Sequence, residues 1–171
     1  LSLYASWSKS FLPQSGDQFS SLTPSTASLA PETFRNREIG LKYAVTPAVD
    51  VTLAAYVLTR GNTRATDPVT RLTVLTGEER SRGIEATAEG RVSRQLSFQA
   101  AAALQEARIT RTTTAAAAGT HVASVPKFTS SLWGRYDASD RLGFGLGLFH
   151  QSKTFASLSN AVTVPGFTRV D

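Results

Sequence analysis

Apolar residues recur at every second position through this chain in stretches of about ten residues, and the links between stretches are alternately short and long. In the first stretch Leu1, Leu3, Ala5, Trp7 and Phe11 alternate with Ser2, Tyr4, Ser6, Ser8 and Ser10. A period of two puts these sets on opposite faces of a strand, whereas a helix would need spacings of three and four. Ile39, Leu41, Tyr43 and Val45 repeat the pattern, and the turn Thr46-Pro47-Ala48 leads into Val51, Leu53, Ala55 and Val57. That third stretch is expected to end at Arg60, where Gly61-Asn62 reads as a loop opener. A fourth carries Ile84, Ala86 and Ala88; a turn near Val92-Ser93-Arg94 leads to a fifth with Leu96, Phe98, Ala100, Ala102 and Leu104. The sixth holds Phe128, Leu132 and Tyr136, and a polar turn at Asp137 to Asp140 precedes a seventh with Leu142, Phe144, Leu146 and Leu148. An eighth, weaker stretch runs from about Val162.

The links after the first, third and fifth stretches are long, and those after the second, fourth and sixth are short. In a soluble sandwich both ends of a strand meet the same water, and nothing imposes such parity. Across an outer membrane the ends differ, with short turns on the periplasmic side and long loops outside. The fold class expected is therefore all-β: a transmembrane antiparallel β-barrel segment of about eight strands, the first running outward.

Composition agrees. Hydrophobic residues are 41% of the 171, and no run approaches the roughly 18 apolar residues of a spanning helix, which excludes a helical membrane protein. The net charge of +5 comes from cations scattered through turns, loops and strand ends, without the basic and aromatic interleaving of a nucleic-acid surface. Cysteine and methionine are both absent, and Leu1 opens directly into a strand. The chain thus reads as a piece of a longer one, from which no signal peptide is expected.

Charge placement sharpens the membrane reading. Lys or Arg on a lipid face costs roughly 2–4 kcal/mol at the midplane and little near the interfaces. On the apolar face Lys9, Arg82, Glu106 and Arg108 all fall at outer strand ends. Tyr43 and Tyr136 lie on that face at inner ends, and Phe11 and Phe128 at outer ends, where aromatic girdles belong.

Four blocks, in order, resemble the TonB-dependent siderophore receptors of the Gram-negative outer membrane. They are Leu29-Ala30-Pro31-Glu32 with Glu38-Ile39-Gly40-Leu41-Lys42-Tyr43; Thr76-Gly77-Glu78-Glu79-Arg80-Ser81-Arg82-Gly83-Ile84-Glu85; Pro126 with Ser131-Leu132-Trp133 and Tyr136; and Val164-Pro165-Gly166-Phe167-Thr168-Arg169-Val170-Asp171. The chain departs from the family at Lys127-Phe128, where a His commonly follows the Pro. The resemblance implies that residues 1–171 are part of a barrel of about 22 strands with an internal plug. The plug, the TonB box and the closing strands have no counterpart in these residues.

What the resemblance implies for function is outer-membrane uptake of a ferric siderophore, with extracellular loops capturing the ligand. Iron would arrive inside its chelator, so no cofactor is expected. The TonB complex would engage through an N-terminal region outside these residues, and outer-membrane lipid and lipopolysaccharide would surround the wall. Near the outer mouth the inward positions are Arg60, Lys127, Phe149 and Gln151, a cationic and aromatic set suited to an anionic chelate. The competing expectation is that these side chains pair with Glu38, Glu79 or loop carboxylates. Lower in the lumen Lys42, Asp50, Glu85, Glu89 and Arg135 would face the plug or form ion pairs along the wall. The serines of the first stretch and Gly143, Gly145 and Gly147 leave a lumen wide, or else serve a tightly filled barrel or a bent strand.

Enzymatic readings lack parts. His121 and His150 have no metal-site spacing, there is no cysteine nucleophile, and no phosphate-binding Gly loop precedes a helix. Glu85 and Glu89 lie about 13 Å apart on one strand face, too far for a carboxylate pair. Two alternatives are a closed eight-stranded outer-membrane barrel acting as an adhesin or structural protein, and a soluble β domain that binds sugars or proteins. The chelate type is not legible: the loops Leu12 to Phe34, Gly61 to Leu75 and Ile109 to Val125 are rich in Thr, Ser and Ala.

Overall fold

A computed structural model describes residues 1–13, 30–66, 73–112 and 116–171, and for 64–66 and 73–76 the backbone alone. The strands are β1 (Ser2–Leu12), β2 (Glu32–Thr46), β3 (Val49–Thr66), β4 (Thr73–Arg91), β5 (Leu96–Ile109), β6 (Phe128–Ser139), β7 (Leu142–Gln151), β8 (Thr154–Phe155), β9 (Thr163–Val164) and β10 (Phe167–Val170). Among the described residues there is no helix. One antiparallel sheet runs β1-β2-β3-β4-β5-β6-β7-β10, and β8 pairs with β9 in a separate ribbon.

The register keeps the two chemistries apart. Leu3, Leu41, Leu53, Ala86 and Ala102 are successive cross-strand partners, and so are Ser2, Lys42, Thr52, Thr87, Ala101, Ser131 and Phe149. A slip of one residue at any pairing would carry polar side chains into the apolar band, so patterning and pairing enforce one another. The apolar row continues through Ser130 to His150, climbing from the inner end of β1 to the outer end of β7. That stagger tilts the strands, as barrel closure requires. The apolar face is the outer surface of a barrel wall, and Tyr43, Tyr136, Phe11 and Phe128 stand exposed on it where girdles were expected.

A single-layer wall has little interior. Among the described residues the buried apolar side chains are Ala107, Ile109 and Ala116, gathered where the segment after β5 folds back over its outer end. Ile109 donates its N–H to Thr120 O and accepts from Gly119 N, and Val122 N–H reaches Ala107 O.

The short turns are closed by hydroxyls. Thr46 Oγ1 accepts from Ala48 N, and Ser93 Oγ from both Gln95 N and Leu96 N. The third strand does not stop at Arg60, however: β3 runs to Thr66, and β4 begins at Thr73, inside the expected loop. Both run on, so most of the expected Gly61 to Leu75 loop is hairpin. Gly61-Asn62 reads as a loop opener because it bulges: Asn62 (φ 57°), and Gly77 (φ 82°) on the facing strand, take left-handed conformations where the register shifts, and pairing then resumes. The eighth stretch is split. Thr163-Val164 turns aside to pair with β8, Pro165-Gly166 breaks the run, and Phe167–Val170 adds to β7. A long link therefore follows β7 too, and the alternation of lengths holds through the last strand. Most of the Leu12 to Phe34 loop, including Leu29, lies outside the described residues. Within the sheet β1 pairs with β2 alone and β10 with β7 alone, which overturns the closed eight-stranded barrel.

Candidate functional site

The inward face is built by seating large polar aromatics on glycines of the neighbouring strand. Tyr4 lies opposite Gly40, where a Cβ would come within 2.5 Å of the ring, and its hydroxyl donates to Glu38 Oε1 at 2.7 Å. Tyr56 lies opposite Gly83 and donates to Gln105 Oε1 at 2.8 Å. The Trp133 indole covers both Gly145 and Gly147, whose added Cβ atoms would sit 2.6 and 2.9 Å from it. Those two glycines of β7 are thus occupied by an indole and are not open lumen, while beside Gly143 lies the Asp137 carboxylate. The sequence pattern registered the glycines without their ring partners, which come from adjacent strands.

At the outer mouth Arg60 is an ion-pair centre. Its Nη2 and Nε donate to Glu32 Oε2 at 2.8 and 3.1 Å, Nη1 lies 3.8 Å from Glu79, and the guanidinium stands 5.4 Å from the Phe34 ring centroid. Glu32 is buried at the first position of β2, so the pair is desolvated on the carboxylate side. For Arg60 the competing expectation of carboxylate pairing is therefore what the geometry shows, with Glu79 among the partners named. Beside it Asn36 Oδ1 is buried with no hydrogen-bond partner among the described residues, a feature the sequence does not signal.

Lys127, Phe149 and Gln151 form a different neighbourhood. Gln105 N–H donates to Lys127 O, which places Lys127 on the row of Gly83 and Tyr56. Arg60 lies roughly three strand spacings away, about 14 Å, and about 13 Å farther along the strand direction. Phe149 packs its ring 5.8 Å from Phe167 of β10, and Gln151 is flanked in register by Thr129 and Phe167. The four expected mouth residues are thus two groups.

Above the second group two loops are fastened together. Asn160 accepts from His121 N (2.9 Å) and donates to His121 O (3.0 Å) and Ser157 O (3.1 Å), while Ser124 N donates to Phe155 O. His121 stacks on Phe155 at 5.3 Å. Its pKa is lowered, first by burial and then by the nearby cations Arg108 and Lys127, so the ring is neutral at neutral pH. His121 is a packed structural group, and sequence spacing had no means of pairing it with Asn160.

At the inner end a shallow pocket gathers Asp50, Glu89 and Arg135 with Arg91, Gln99 and Trp133. Asp50 and Glu89 are direct cross-strand partners, a like-charge opposition, and Arg135 is held by Asp137 at 2.8 Å. Lys42 lies over the Tyr4 ring at 5.7 Å, and Glu85 is on a row farther out. No group of metal-ligating side chains occurs among the described residues.

A family model described as "TonB dependent receptor-like, beta-barrel" matches residues 1–171. The ferrichrome outer membrane transporter/phage receptor of Escherichia coli is 31% identical over 98% of the chain and 22% of its own length. The metal-pseudopaline receptor CntO of Pseudomonas aeruginosa is 32% identical over 79% of the chain and 18% of its own. Among solved structures, the siderophore receptor PiuA from Acinetobacter baumannii superposes with a TM-score of 0.80 at 22% identity, covering 98% of the chain and 26% of PiuA. The chain spans about a quarter or less of the length of these relatives.

Proposed function

The chain belongs to the TonB-dependent receptor β-barrel family of the Gram-negative outer membrane, and from that premise we propose that it forms a wall of the route by which a ferric siderophore is captured and taken up. Iron is cargo here, carried by the chelator. The observation that carries the reading is the pairing of faces: an apolar outer surface, and an inward surface whose outer mouth offers Arg60, Lys127, Phe149 and Gln151. The relatives supply the context, since the E. coli protein is a ferrichrome transporter and PiuA a siderophore receptor.

Within that reading the two mouth groups do different work. Arg60, already paired, fixes the outer ends of β2, β3 and β4 together and keeps one exposed edge toward the lumen. Lys127 and the Phe149 and Phe167 rings offer a cation and stacking surface beneath the joined loops. At the inner end Asp50, Glu89 and Arg135, with Lys42 and Glu85 beyond them, face a luminal plug and give it polar contacts that can be exchanged when TonB acts. Homologues are receptors and transporters, and no catalytic step is assigned to any residue.

The test is uptake of radiolabelled iron, supplied as hydroxamate, catecholate and citrate chelates, by cells whose own receptors are deleted and which produce the full-length protein. Uptake of at least one chelate that disappears when TonB is removed is the expected result. Uptake of none, or uptake indifferent to TonB, rejects the reading. Lys127→Ala with Phe149→Ala is expected to weaken chelate binding by about tenfold, which corresponds to about 1.4 kcal/mol.

A further inference from the structure

On the inward face the register lines up two rows that continue from the mouth into the lumen. Thr87, Ala101, Ser131, Phe149 and Arg169 are successive cross-strand partners. Two residues farther in, Glu89, Gln99, Trp133, Gly147 and Asp171 face one another in the same way. Between the rows lies a hollow of about 420 Å³. Thr87 stands four residues from the inner end of β4 and Phe149 two from the outer end of β7, so the hollow slopes down from the mouth.

Its floor is made of small side chains, Ala101 and Ser131. Phe149 bounds it toward the mouth, and the Trp133 indole, laid over Gly147, bounds it toward the inner end. The two rings therefore occupy consecutive inward positions of β7, roughly 7 Å apart. The charges are few. Arg169 is held by Asp171 at 2.9 Å, and Glu89 is exposed with no hydrogen bond or ion pair among the described residues. Two carboxylates thus face one guanidinium that is already paired.

We propose that this hollow receives an aromatic arm, a phenyl, phenol or catechol ring, of a ferric chelate of low net charge. The assignment rests on the uptake reading and narrows its substrate class. Three features fit that occupant. The volume is near the small end of the roughly 300–1,000 Å³ of whole-ligand pockets, and it takes one arm of a chelate, leaving the iron centre above it beside Lys127 and Gln151. A ring resting on Ser131 has Phe149 directly across the strand pair and Trp133 two residues farther in, so it meets aromatic groups on two sides. Glu89 and Asp171 repel a polyanionic chelate, and no unpaired cation in the hollow offsets them. An aliphatic arm would fill the hollow without gaining from the rings.

The test uses the full-length protein in neutral detergent and ferrioxamine carrying an acetyl, a benzoyl or a succinyl group on its terminal amine. The three probes share one iron centre and are respectively neutral, neutral with one ring, and anionic. Equilibrium binding of the radioiron complexes is expected to be about tenfold tighter for the benzoyl probe than for the acetyl probe. The succinyl probe is expected to bind about threefold more weakly than the acetyl one, and Glu89→Gln to remove that difference. Ala101→Trp fills the hollow from its floor and is expected to bring the benzoyl probe down about tenfold, to the level of the acetyl probe, whose own affinity stays within about twofold. Ala101→Leu, expected to lose about threefold for the benzoyl probe alone, serves if the tryptophan variant does not fold. Equal affinity for the benzoyl and acetyl probes, binding of neither, or equal weakening of both by Ala101→Trp overturns the proposal. TonB-dependent uptake of both probes at equal affinity overturns it while leaving the uptake reading standing; a benzoyl preference without TonB-dependent uptake does the reverse.

Discussion

Replacing Ala100 and Ala101 by arginine, one at a time, places the same charge on opposite faces of one strand. Ala100 is the middle of the outward apolar run of β5, with Leu96 and Leu104 each four residues away, and its cross-strand partners are Ala88 and Leu132. Four residues of strand are about 14 Å, or about 10 Å along the membrane normal at a tilt near 45°. That puts Ala100 near the centre of an apolar band about 25 Å tall, too deep for a guanidinium to reach either interface without distorting the wall. Ala101 faces inward between Thr87 and Ser131, where a cation meets polar neighbours. The expected costs are about 2–4 kcal/mol for Ala100→Arg and within about 0.5 kcal/mol for Ala101→Arg. The first corresponds to a folding equilibrium shifted by roughly 30-fold to 1000-fold. Urea titration of the full-length protein refolded into lipid vesicles measures both. Equal costs, or a larger one at Ala101, would refute the assignment of faces and with it every inward residue discussed above.

Four further outcomes follow from single contacts. Glu89→Gln removes the opposition to Asp50 and is expected to stabilise the protein by about 0.2–1 kcal/mol at neutral pH, read from the same urea titration; a loss of stability would reject it. Gly145→Val displaces the Trp133 indole and is expected to cost about 1–3 kcal/mol, with a change in tryptophan emission as the direct readout. Asn160→Gly keeps the left-handed backbone (φ 54°) but removes three hydrogen bonds, so limited proteolysis should cut the β5–β6 and β7–β10 loops faster. His121, held below its ordinary value near 6.5, takes up its proton later than the unfolded chain does. Loop stability should therefore fall as pH drops below about 6.5, read as faster amide exchange at Val122 after correction for intrinsic rates, and His121→Gln should remove that loss.

The outward face was legible because its physics is additive. Each of Leu3, Leu41, Leu53, Ile84 and Leu104 reports its own transfer free energy to lipid, and period two converts that report into a face without knowledge of any neighbour. Girdle positions and strand-end charges obey the same one-body rule, so Tyr43, Tyr136 and Lys9 were placed correctly. Strand ends were less legible, because Gly61-Asn62 and Thr76-Gly77 carry turn chemistry whichever of two events they serve. Only pairing beyond them, Ala65 with Val74 and Thr66 with Thr73, distinguishes a bulge from a loop.

The inward face resisted reading for the opposite reason: its energies are pairwise, and the pairs are set by register. Arg60 is neutralised by Glu32 and Glu79, 28 residues before it on the adjacent strand and across the β3–β4 hairpin, and no local pattern joins the three. Glycine shows the same dependence. Gly145 and Gly147 read in sequence as room in the lumen or as a tightly filled wall, and the Trp133 indole lies against both, as Tyr4 lies against Gly40 and Tyr56 against Gly83. A glycine on a wide barrel wall therefore marks open lumen only where no ring stands opposite. By that criterion the mouth at Phe149 and Gln151, whose cross-strand neighbours include Ser131 and Thr129, is a more accessible ligand surface than the stretch of β7 at Gly145 and Gly147. Competition by an apo-chelate for labelling of Ser131→Cys, with Gly145→Cys as the control, would separate them: protection at the control position alone would put the ligand on the wrong part of the wall.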